Sequence, residues 1–285
     1  MNEHARSVVL PDGAECFEAR FHKYAFERHI HDTFAIGVTL SGVQRFWCGG
    51  VTHDSRPGDV VVIAPGQAHD GESGNGESYS YRMAYLPVSL IHQVLADASE
   101  RSHGLDLSFD TPLVRDRRLA ATLAGAWMTA KKAQNTDAFY ELIVELAMRF
   151  GKIRIPDRPR SAPAELARVV EYLHANIERE IRTNELARVA GMSRFRLTRQ
   201  FRRAFGLPLH AYHVHLKLET SKRLLREESI ADVAARLGFC DQSHFHRRFK
   251  GAFGMTPAQW TAAQRSNPPA RPAPILDACT IPTAS

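Results

Sequence analysis

The sequence predicts an α+β protein of two domains, in which a strand-rich first half ends in helices and the second half is entirely helical. Three observations support this prediction. Short β-branched or aromatic runs separated by Gly and Pro fill the first half, as strands and turns require. A proline-rich segment interrupts the chain at 156–164. Beyond it the apolar residues follow a helical period and the sequence contains an internal repeat.

These patterns divide the chain into four parts. We predict domains over 1–155 and 165–263, a linker over 156–164 and a disordered, proline-rich tail over 264–285. Strands are predicted within 31–50 and 56–70. Helices are predicted in three later segments of the first half, which are 89–98, 115–133 and 137–153.

The composition is that of a globular protein. At 285 residues, with 44% hydrophobic and 24% charged, the chain can form two domains that each have a core. No apolar run approaches the roughly 18 residues of a membrane span, and the N-terminus lacks the hydrophobic region of a signal peptide. The four scattered cysteines form no CxxC pair, which argues against a zinc ribbon or a disulfide framework. We therefore expect a cytoplasmic protein with no membrane partner.

The positive charge is concentrated in the second half. Residues 1–155 contain 16 Lys and Arg against 19 Asp and Glu, a net charge of −3, whereas 156–285 contain 21 against 12, a net charge of +9. This asymmetry favours a C-terminal half that binds a polyanion. A basic surface that serves only solubility is the alternative.

The repeat in the second half predicts two helix-turn-helix modules. Each copy contains a helix with small residues, a glycine turn and a second helix. Phe201 and Gly206 of the first copy correspond to Phe249 and Gly254 of the second. The intervening segment 208–228 contains no helix breaker, so we predict one long helix that holds the two modules at a fixed separation.

The second helix of each copy is predicted to have a buried apolar stripe and an exposed cationic face. In the later copy, at 100° per residue, Phe245, Phe249, Ala252 and Phe253 share one stripe. Arg247 and Lys250 lie on the opposite face of that helix, and His244 flanks them. In the earlier copy the predicted core stripe is Leu197, Phe201, Ala204 and Phe205, opposite Arg196, Arg199 and Arg203. Arginine can read guanine in the major groove, at about 1–3 kcal/mol for each good contact, so two such helices favour DNA as the polyanion.

The segment IADVAARLGFCDQSHFHRRFKGAFGMTPAQW (230–260) resembles the DNA-binding domain of the AraC/XylS family of transcription regulators. It matches the family core G-F-x-D-x-S-x-F-x-R-x-F-K-x-x-F-G-x-[ST]-P nearly throughout, and the resemblance covers 163–262. The resemblance implies double-stranded DNA, a small-molecule effector and RNA polymerase as partners, and a homodimer. Together with the helical wheels it gives this predicted DNA-binding set: Arg194, Phe195, Arg196, Thr198, Arg199, Arg203, Gln242, Ser243, His244, Arg247 and Lys250.

Three histidines of the first half mark its candidate site. His29 and His31 form an H-x-H pair that shares a face if it lies on a strand, and the segment PGDVVVIAPGQAHD contains His69. This layout resembles a cupin barrel, although metal-binding cupins have a glutamate shortly after H-x-H and here none occurs before Glu72. Three alternatives stay open for these histidines: a pocket in which they form hydrogen bonds to a small molecule, a divalent-metal site, and a purely structural role in which turns and strand ends satisfy their hydrogen bonds. We expect no cofactor.

The cupin-like resemblance extends the candidate pocket to neighbouring strands. The predicted ligand-binding residues are His29, His31, Gln44, Phe46, Trp47, His69, Tyr81 and Arg82. Arg82 is a lone cation in an aromatic run and needs a partner if it is buried, either an internal carboxylate or one on a ligand. The helices within 112–152 are expected to pack on the barrel, and the family resemblance implies that they also form a homodimer surface.

The combined prediction is a non-enzymatic, ligand-responsive transcription regulator with a cupin-like β-barrel sensor and a dual helix-turn-helix domain. The alternative is a metal-dependent cupin enzyme, or a metal sensor, with a basic accessory domain. An enzyme of that kind needs a filled metal site with an open position for substrate. The missing glutamate and the lack of another clustered acid–base set count against it.

Overall fold

The computed structural model describes residues 3–99, 106–154 and 163–265. The predicted linker and tail therefore lie outside the described residues, except for 163–164 and 264–265. Within the described ranges, no helix combines the length and the hydropathy that crossing a bilayer requires.

The N-terminal domain contains two antiparallel sheets. The larger sheet has the strand order β1-β2-β9-β4-β7-β11 and the smaller sheet the order β3-β8-β5-β6. Strands β10 and β12 pair separately. The strands are β1 (His4–Val9), β2 (Glu15–Phe21), β3 (Phe26–His29), β4 (Phe34–Ser41), β5 (Gln44–Cys48), β6 (Val51–Ser55), β7 (Val60–Ile63), β8 (His69–Ser73), β9 (Tyr79–Leu86), β10 (Asp106–Phe109), β11 (Leu113–Val114) and β12 (Gly151–Arg154).

The predicted fold class is confirmed. Strand β9 shows the reason, because buried Tyr79, Tyr81 and Met83 alternate with half-buried Ser80 and Arg82. The inward faces of both sheets contribute to one apolar core. Apart from the separate β10–β12 pair, the described strands thus form two hydrogen-bonded sheets that share one interior.

Three helices cover the outer face of the larger sheet. They are α1 (Val88–Ser99), α2 (Arg117–Ala133) and α3 (Phe139–Phe150), and they form a second core with that face. The predicted helix over 137–153 is wrong in its last three residues, which begin β12. A Cβ at Gly151 would lie 2.5 Å from Leu107 Cδ1, so the glycine permits the close approach at which the chain leaves the helix.

The C-terminal domain contains seven helices in its described part, and two pairs of them form the repeated modules. The helices are α4 (Ala164–Ala175), α5 (Thr183–Ala190), α6 (Arg194–Phe205), α7 (Leu209–Leu224), α8 (Ile230–Arg236), α9 (Gln242–Phe253) and α10 (Pro257–Arg265). Pairs α5–α6 and α8–α9 are the helix-turn-helix modules. Ser193 is the N-cap of α6, and its side chain accepts a hydrogen bond from the backbone NH of Arg196. Asp241 is the N-cap of α9, and its side chain accepts a hydrogen bond from the backbone NH of His244.

Two details of the helix predictions are corrected. Helix α7 ends at Leu224, four residues earlier than predicted, and continues as a turn. Ala204 was placed in the core of α6 and is exposed, whereas Leu197 and Phe201 are fully buried. The buried stripe of α6 is narrower than the wheel implies, because it is covered mainly by α5 and α7.

The two domains share a core. The interior of the sheets is continuous with apolar residues of α7 to α10, among them Phe253 and the fully buried Trp260. Strand β1 packs on α10, where the Val9 amide donates to Gln264 Oε1 at 3.3 Å. Strand β3 packs on α9, where Arg248 pairs with Glu27 at 3.2 Å. Extensive apolar contact of this kind fixes the position of the DNA-binding domain relative to the sheets.

Candidate effector site and nucleic-acid interface

The three predicted histidines form one buried cluster. His29 ends β3 and is paired in register with His69, the first residue of β8. His31 lies two residues beyond the end of β3, so the irregular segment between β3 and β4, and not a strand face, brings it to the same place. The ring centroids are 4.8 Å apart for His29 and His31, 4.3 Å for His29 and His69, and 5.2 Å for His31 and His69. The sequence prediction of a shared site is consistent with this placement.

Each imidazole of the cluster has its Nδ1 engaged. Nδ1 of His29 lies 2.7 Å from the Glu27 carbonyl oxygen, and Nδ1 of His69 lies 2.9 Å from that of Gln67. Nδ1 of His31 lies 3.0 Å from Oε1 of Glu219. Carbonyl and carboxylate oxygens only accept, so each Nδ1 donates and carries the proton.

Burial keeps the three rings neutral. It lowers the pKa of His29 and of His31 well below the ordinary value, and the neighbouring histidines lower both further. Burial also lowers the pKa of His69. All three are therefore uncharged at pH 7, the form in which an imidazole accepts a hydrogen bond or binds a metal.

The remaining predicted pocket residues divide between two sides of the sheets. Gln44, Phe46 and Tyr81 are buried and face the interior with the histidines. Trp47 faces the other side of its strand and lies under the Arg28 guanidinium, 3.5 Å from its ring centroid. The structure thus brings the histidines, Gln44, Phe46 and Tyr81 into one interior and leaves Trp47 outside it.

Arg82 also lies outside that interior. It pairs with Glu18 at 3.5 Å and lies 4.7 Å from the ring centroid of Trp127 on α2. Residues 82 and 81 are neighbours on a strand and so face opposite sides of the sheet. The partner of Arg82 in this structure is an internal carboxylate, the first of the two options that the sequence left open.

Helix α7 contributes the charged residues that sequence reasoning missed. Lys222 Nζ lies 3.1 Å from Oε2 of Glu15 on β2 and 3.5 Å from Oε2 of Glu219. It also lies 4.1 Å from the ring centroid of Phe253 on α9. Burial alone would lower the pKa of Lys222, but the charges of Glu15 and Glu219 raise it above its ordinary value, so Lys222 is a cation at pH 7.

Two cavities flank the His31–Glu219 contact, between the N-terminal domain and α7. One has a volume of about 510 Å³ and includes Glu15, Lys222 and Arg226 in its lining. The other has a volume of about 410 Å³ and includes His174, Tyr212 and His215. Four residues line both cavities: His31, Asp32, Glu219 and Arg223. These cavities are large enough for a small ligand that contacts both domains.

The first recognition helix, α6, exposes all of its predicted DNA-binding residues. Arg194, Phe195, Arg196, Thr198, Arg199 and Arg203 are solvent-exposed. Phe195 is 82% exposed although it is aromatic, which removes a packing role within the described structure. Helix α6 borders a shallow cavity of about 630 Å³. Its lining consists of Thr183, Arg194, Phe195, Thr198, Arg199, Arg202 and Arg203.

The second recognition helix, α9, has the same arrangement with one difference. Gln242, Ser243, Arg247 and Lys250 are exposed, whereas Phe245, Phe249 and Phe253 are buried. His244 is half-buried against Phe239, with the ring centroids 5.6 Å apart. Its ring therefore packs in the turn of the module more than it faces solvent.

Comparison with known proteins agrees with this architecture. A family model described as the AraC-like ligand binding domain matches residues 13–149, and one described as a helix-turn-helix domain matches residues 186–263. The transcriptional activator RhaS of Enterobacter sp. (strain 638) is 32% identical over 254 residues, which cover 85% of this chain and 90% of RhaS. The chain belongs to the AraC family of transcription regulators.

Two further proteins are similar along most of the chain. The Msm operon regulatory protein of Streptococcus mutans is 26% identical over 86% of this chain and 89% of its own length. Among solved structures, ToxT from Vibrio cholerae has a TM-score of 0.59 at 14% identity, covering 88% of this chain and 97% of ToxT. That likeness shows the fold. The protein is thus a ligand-responsive DNA-binding transcription regulator with an N-terminal ligand-binding domain and a C-terminal helix-turn-helix domain.

Proposed function

We propose that α6 and α9 insert into successive major grooves of one operator and read its sequence with their exposed faces. The observation that supports this most strongly is the pair of equivalent helices whose aromatic stripes are buried and whose arginines face solvent. In helix-turn-helix proteins the second helix of the module contacts the base edges, chiefly through its N-terminal residues. We assign the base contacts to the exposed Arg199 and Arg247, and the phosphate contacts to the other cations.

The experiment compares paired substitutions on duplexes selected from a randomised pool. Arg199→Ala and Arg247→Ala should each lower the affinity for the selected duplex by about 1–3 kcal/mol and relax its sequence preference at different positions. Arg115→Ala is the matched control, since this arginine of the N-terminal domain has a side chain that is 74% exposed. Unchanged affinity and preference in both recognition-helix variants would refute the proposal.

The proposed effector is a small molecule bound between the domains, in the cavities beside α7. The support is that His31 of the sensor domain and Glu219 and Arg223 of α7 line both cavities. ToxT has been solved with an unsaturated fatty acid bound, so a protein of this fold accepts an organic acid. An effector in this position contacts both domains and can bind their alternative arrangements with different affinity, which is the requirement for control.

Thermal unfolding tests the effector proposal. A panel of organic acids, sugars and amino acids is screened for a concentration-dependent rise in Tm. A ligand at a hundred times its Kd should stabilise the folded protein by about 2.7 kcal/mol. Arg223→Ala should abolish the rise and Arg115→Ala should leave it unchanged. A rise that survives Arg223→Ala would place the effector elsewhere.

The same proposal includes the cellular setting and the assembly. We infer that the protein acts in the cytoplasm as a homodimer, contacts RNA polymerase and catalyses no reaction, because its relatives are transcription regulators. Tyr140, Val144 and Met148 support a dimer surface on α3, since they lie four residues apart and Met148 is 74% exposed.

A further inference from the structure

The cluster of His29, His31 and His69 contains three acceptor nitrogens. Since each Nδ1 carries the proton, the lone pair of each ring is at Nε2. Nε2 of His31 is buried and has no hydrogen-bond partner among the described residues. A buried acceptor without a partner costs free energy unless a donor or a cation occupies its lone pair.

The three rings are close enough to share one ion. One ring nitrogen from each histidine lies within 4.8 Å of those of the other two. Metal–nitrogen bonds of about 2.0–2.1 Å place such nitrogens about 3.3 Å apart in a tetrahedral set, so small side-chain rotations complete the geometry. All three residues are at least 92% buried, and their Nδ1 hydrogen bonds already fix the ring orientations.

We propose that His29, His31 and His69 bind one divalent transition-metal ion through their Nε2 atoms, and that Glu219 of α7 is a positioning residue that orients His31. Three imidazoles suit Zn²⁺, Ni²⁺ or Fe²⁺ and leave a coordination position open. Mg²⁺ and Ca²⁺ prefer oxygen ligands, which this set does not offer.

The charges around the cluster are compatible with a dication. Lys222 of α7 pairs with the carboxylates of both Glu15 and Glu219, so this trio has a net negative charge. Arg28 is paired with Asp70 at 3.2 Å.

Glu219 connects the metal site to the DNA-binding domain. Its Oε1 accepts from His31 Nδ1, and a metal on Nε2 would make that donor more acidic and the hydrogen bond stronger. Helix α7 joins the two helix-turn-helix modules. An ion bound to the histidines of the N-terminal domain therefore stabilises the contact between that domain and the DNA-binding domain. This regulatory consequence depends on the proposed function, whereas the metal site itself does not.

The experiment titrates the full-length protein, stripped by a chelator, with Co²⁺, Ni²⁺ and Zn²⁺ alone, followed by calorimetry and by the visible absorption of Co²⁺. We expect one ion per chain and no saturable binding of Mg²⁺. His29→Gln and His69→Gln should weaken binding by about 100-fold or more, since loss of outer partners alone costs about 10- to 100-fold. His92→Gln is the control, because His92 is exposed on α1. His29→Ala and His69→Ala replace the Gln variants if circular dichroism shows that those do not fold.

Glu219→Gln tests the positioning role with a side chain of the same size. It should weaken metal binding by about 10- to 100-fold and change the Co²⁺ spectrum, while Glu227→Gln, at an exposed position of the turn that follows α7, should do neither. Absence of saturable binding to the wild-type protein, or equal affinity in the histidine variants, overturns the metal site. Equal affinity and spectrum in Glu219→Gln overturns the role of that residue.

Repeating the titration with the selected DNA duplex separates this inference from the proposed function. Linkage requires that DNA change the metal affinity by the factor by which metal changes the DNA affinity. A metal isotherm unaffected by DNA overturns the coupling through Glu219 and leaves the metal site intact. Loss of the DNA-binding proposal would leave the titration without DNA unchanged.

Discussion

Gly206 and Gly254 occupy equivalent positions in the two helix-turn-helix modules, and both lie against the N-terminal domain. A Cβ at Gly206 would lie 2.7 Å from Ala68 Cβ, and a Cβ at Gly254 would lie 2.8 Å from Phe21 Cζ. Each glycine ends a recognition helix with a φ of +72°. The N-terminal domain therefore contacts the C-terminal ends of both recognition helices and restricts their separation.

Substituting these glycines should weaken the domain contact. Gly206→Ala and Gly254→Ala introduce both backbone strain and a clash with the sensor domain. Gly191→Ala is the control, because Gly191 has a φ of +64° and nothing within 4 Å of its Cβ position. Urea denaturation should show a loss of about 1–2 kcal/mol for the control and about 1–3 kcal/mol more for the other two. Equal losses would mean that the contact contributes nothing.

Two phenylalanines of α6 should separate binding from stability. Phe195→Ala removes an 82% exposed ring, so the free energy of unfolding should change by less than about 0.5 kcal/mol. Its affinity for the selected duplex should fall, since an exposed aromatic ring on a recognition helix can make the apolar contact that reads a thymine methyl. Phe201→Ala removes a fully buried ring and should cost about 3–5 kcal/mol of stability. Fluorescence anisotropy and urea denaturation on the same preparations measure both quantities.

Lys222 should be far more important for stability than a comparable surface lysine. Lys222→Met leaves the carboxylates of Glu15 and Glu219 without their cation in a buried place, at a cost of about 3–5 kcal/mol. Lys152→Met removes an exposed pair with Asp110 and should cost less than about 1 kcal/mol. Adding Glu15→Gln to Lys222→Met should recover part of the loss, and a further loss in the double variant would contradict this account.

The stability of the protein should fall as the pH decreases below neutrality. Burial lowers the pKa of His213 and of His215 to about 4 and lowers those of His29, His31 and His69 as well. Below about pH 6.5 the unfolded chain binds protons that the folded chain does not, so the stability present at higher pH is lost as the pH falls from there toward 4.

Each such histidine contributes up to about 1.4 kcal/mol per pH unit once the pH is well below 6.5. Urea denaturation at pH 7.5, 6.0 and 5.0 measures the slope. His213→Gln should reduce the slope, whereas His92→Gln, at an exposed position, should not. A free energy of unfolding that is constant over this range would show that these histidines titrate in the folded protein with the same pKa as in the unfolded chain.

Met148 tests the proposed dimer surface. Met148→Lys places a charge at a position that is 74% exposed in the single chain, so the fold should be unaffected. Sedimentation should show weaker self-association for this variant. Val51→Lys, at an exposed position of the smaller sheet, is the control. Identical sedimentation of all three proteins would remove α3 from the dimer proposal.

The recognition helices could be predicted because their information is local. The periodic spacing of Phe245, Phe249 and Phe253 and the glycine after the helix determine both the buried stripe and the exposed cationic face. The histidine cluster was predictable for a similar reason, although the sequence placed His31 on a strand and the irregular segment after β3 brings it to the site.

The rest of the candidate site depends on contacts between distant segments. Trp47 and Arg82 were chosen as pocket candidates by residue type. Their positions in β5 and β9 point both side chains away from the interior. Glu219 and Lys222 were missed because their partners are about 200 residues away in the chain. The segment 208–228 did contain a signal: polar residues occupy every side of α7, as expected for a helix with neighbours all round and internal ion pairs.

Helix α7 has a practical consequence for exchanging sensor domains between regulators. It contacts α6, α9 and β3 at once, so its residues must suit both reading modules and the sensor. A hybrid joined at the proline-rich segment before α4 would combine one parent's β3 and Glu15 with the other parent's α7. Grafts that keep α7 with its own sensor, or that transplant His31, Glu15, Glu219 and Lys222 as a set, are the ones expected to respond to the donor's signal.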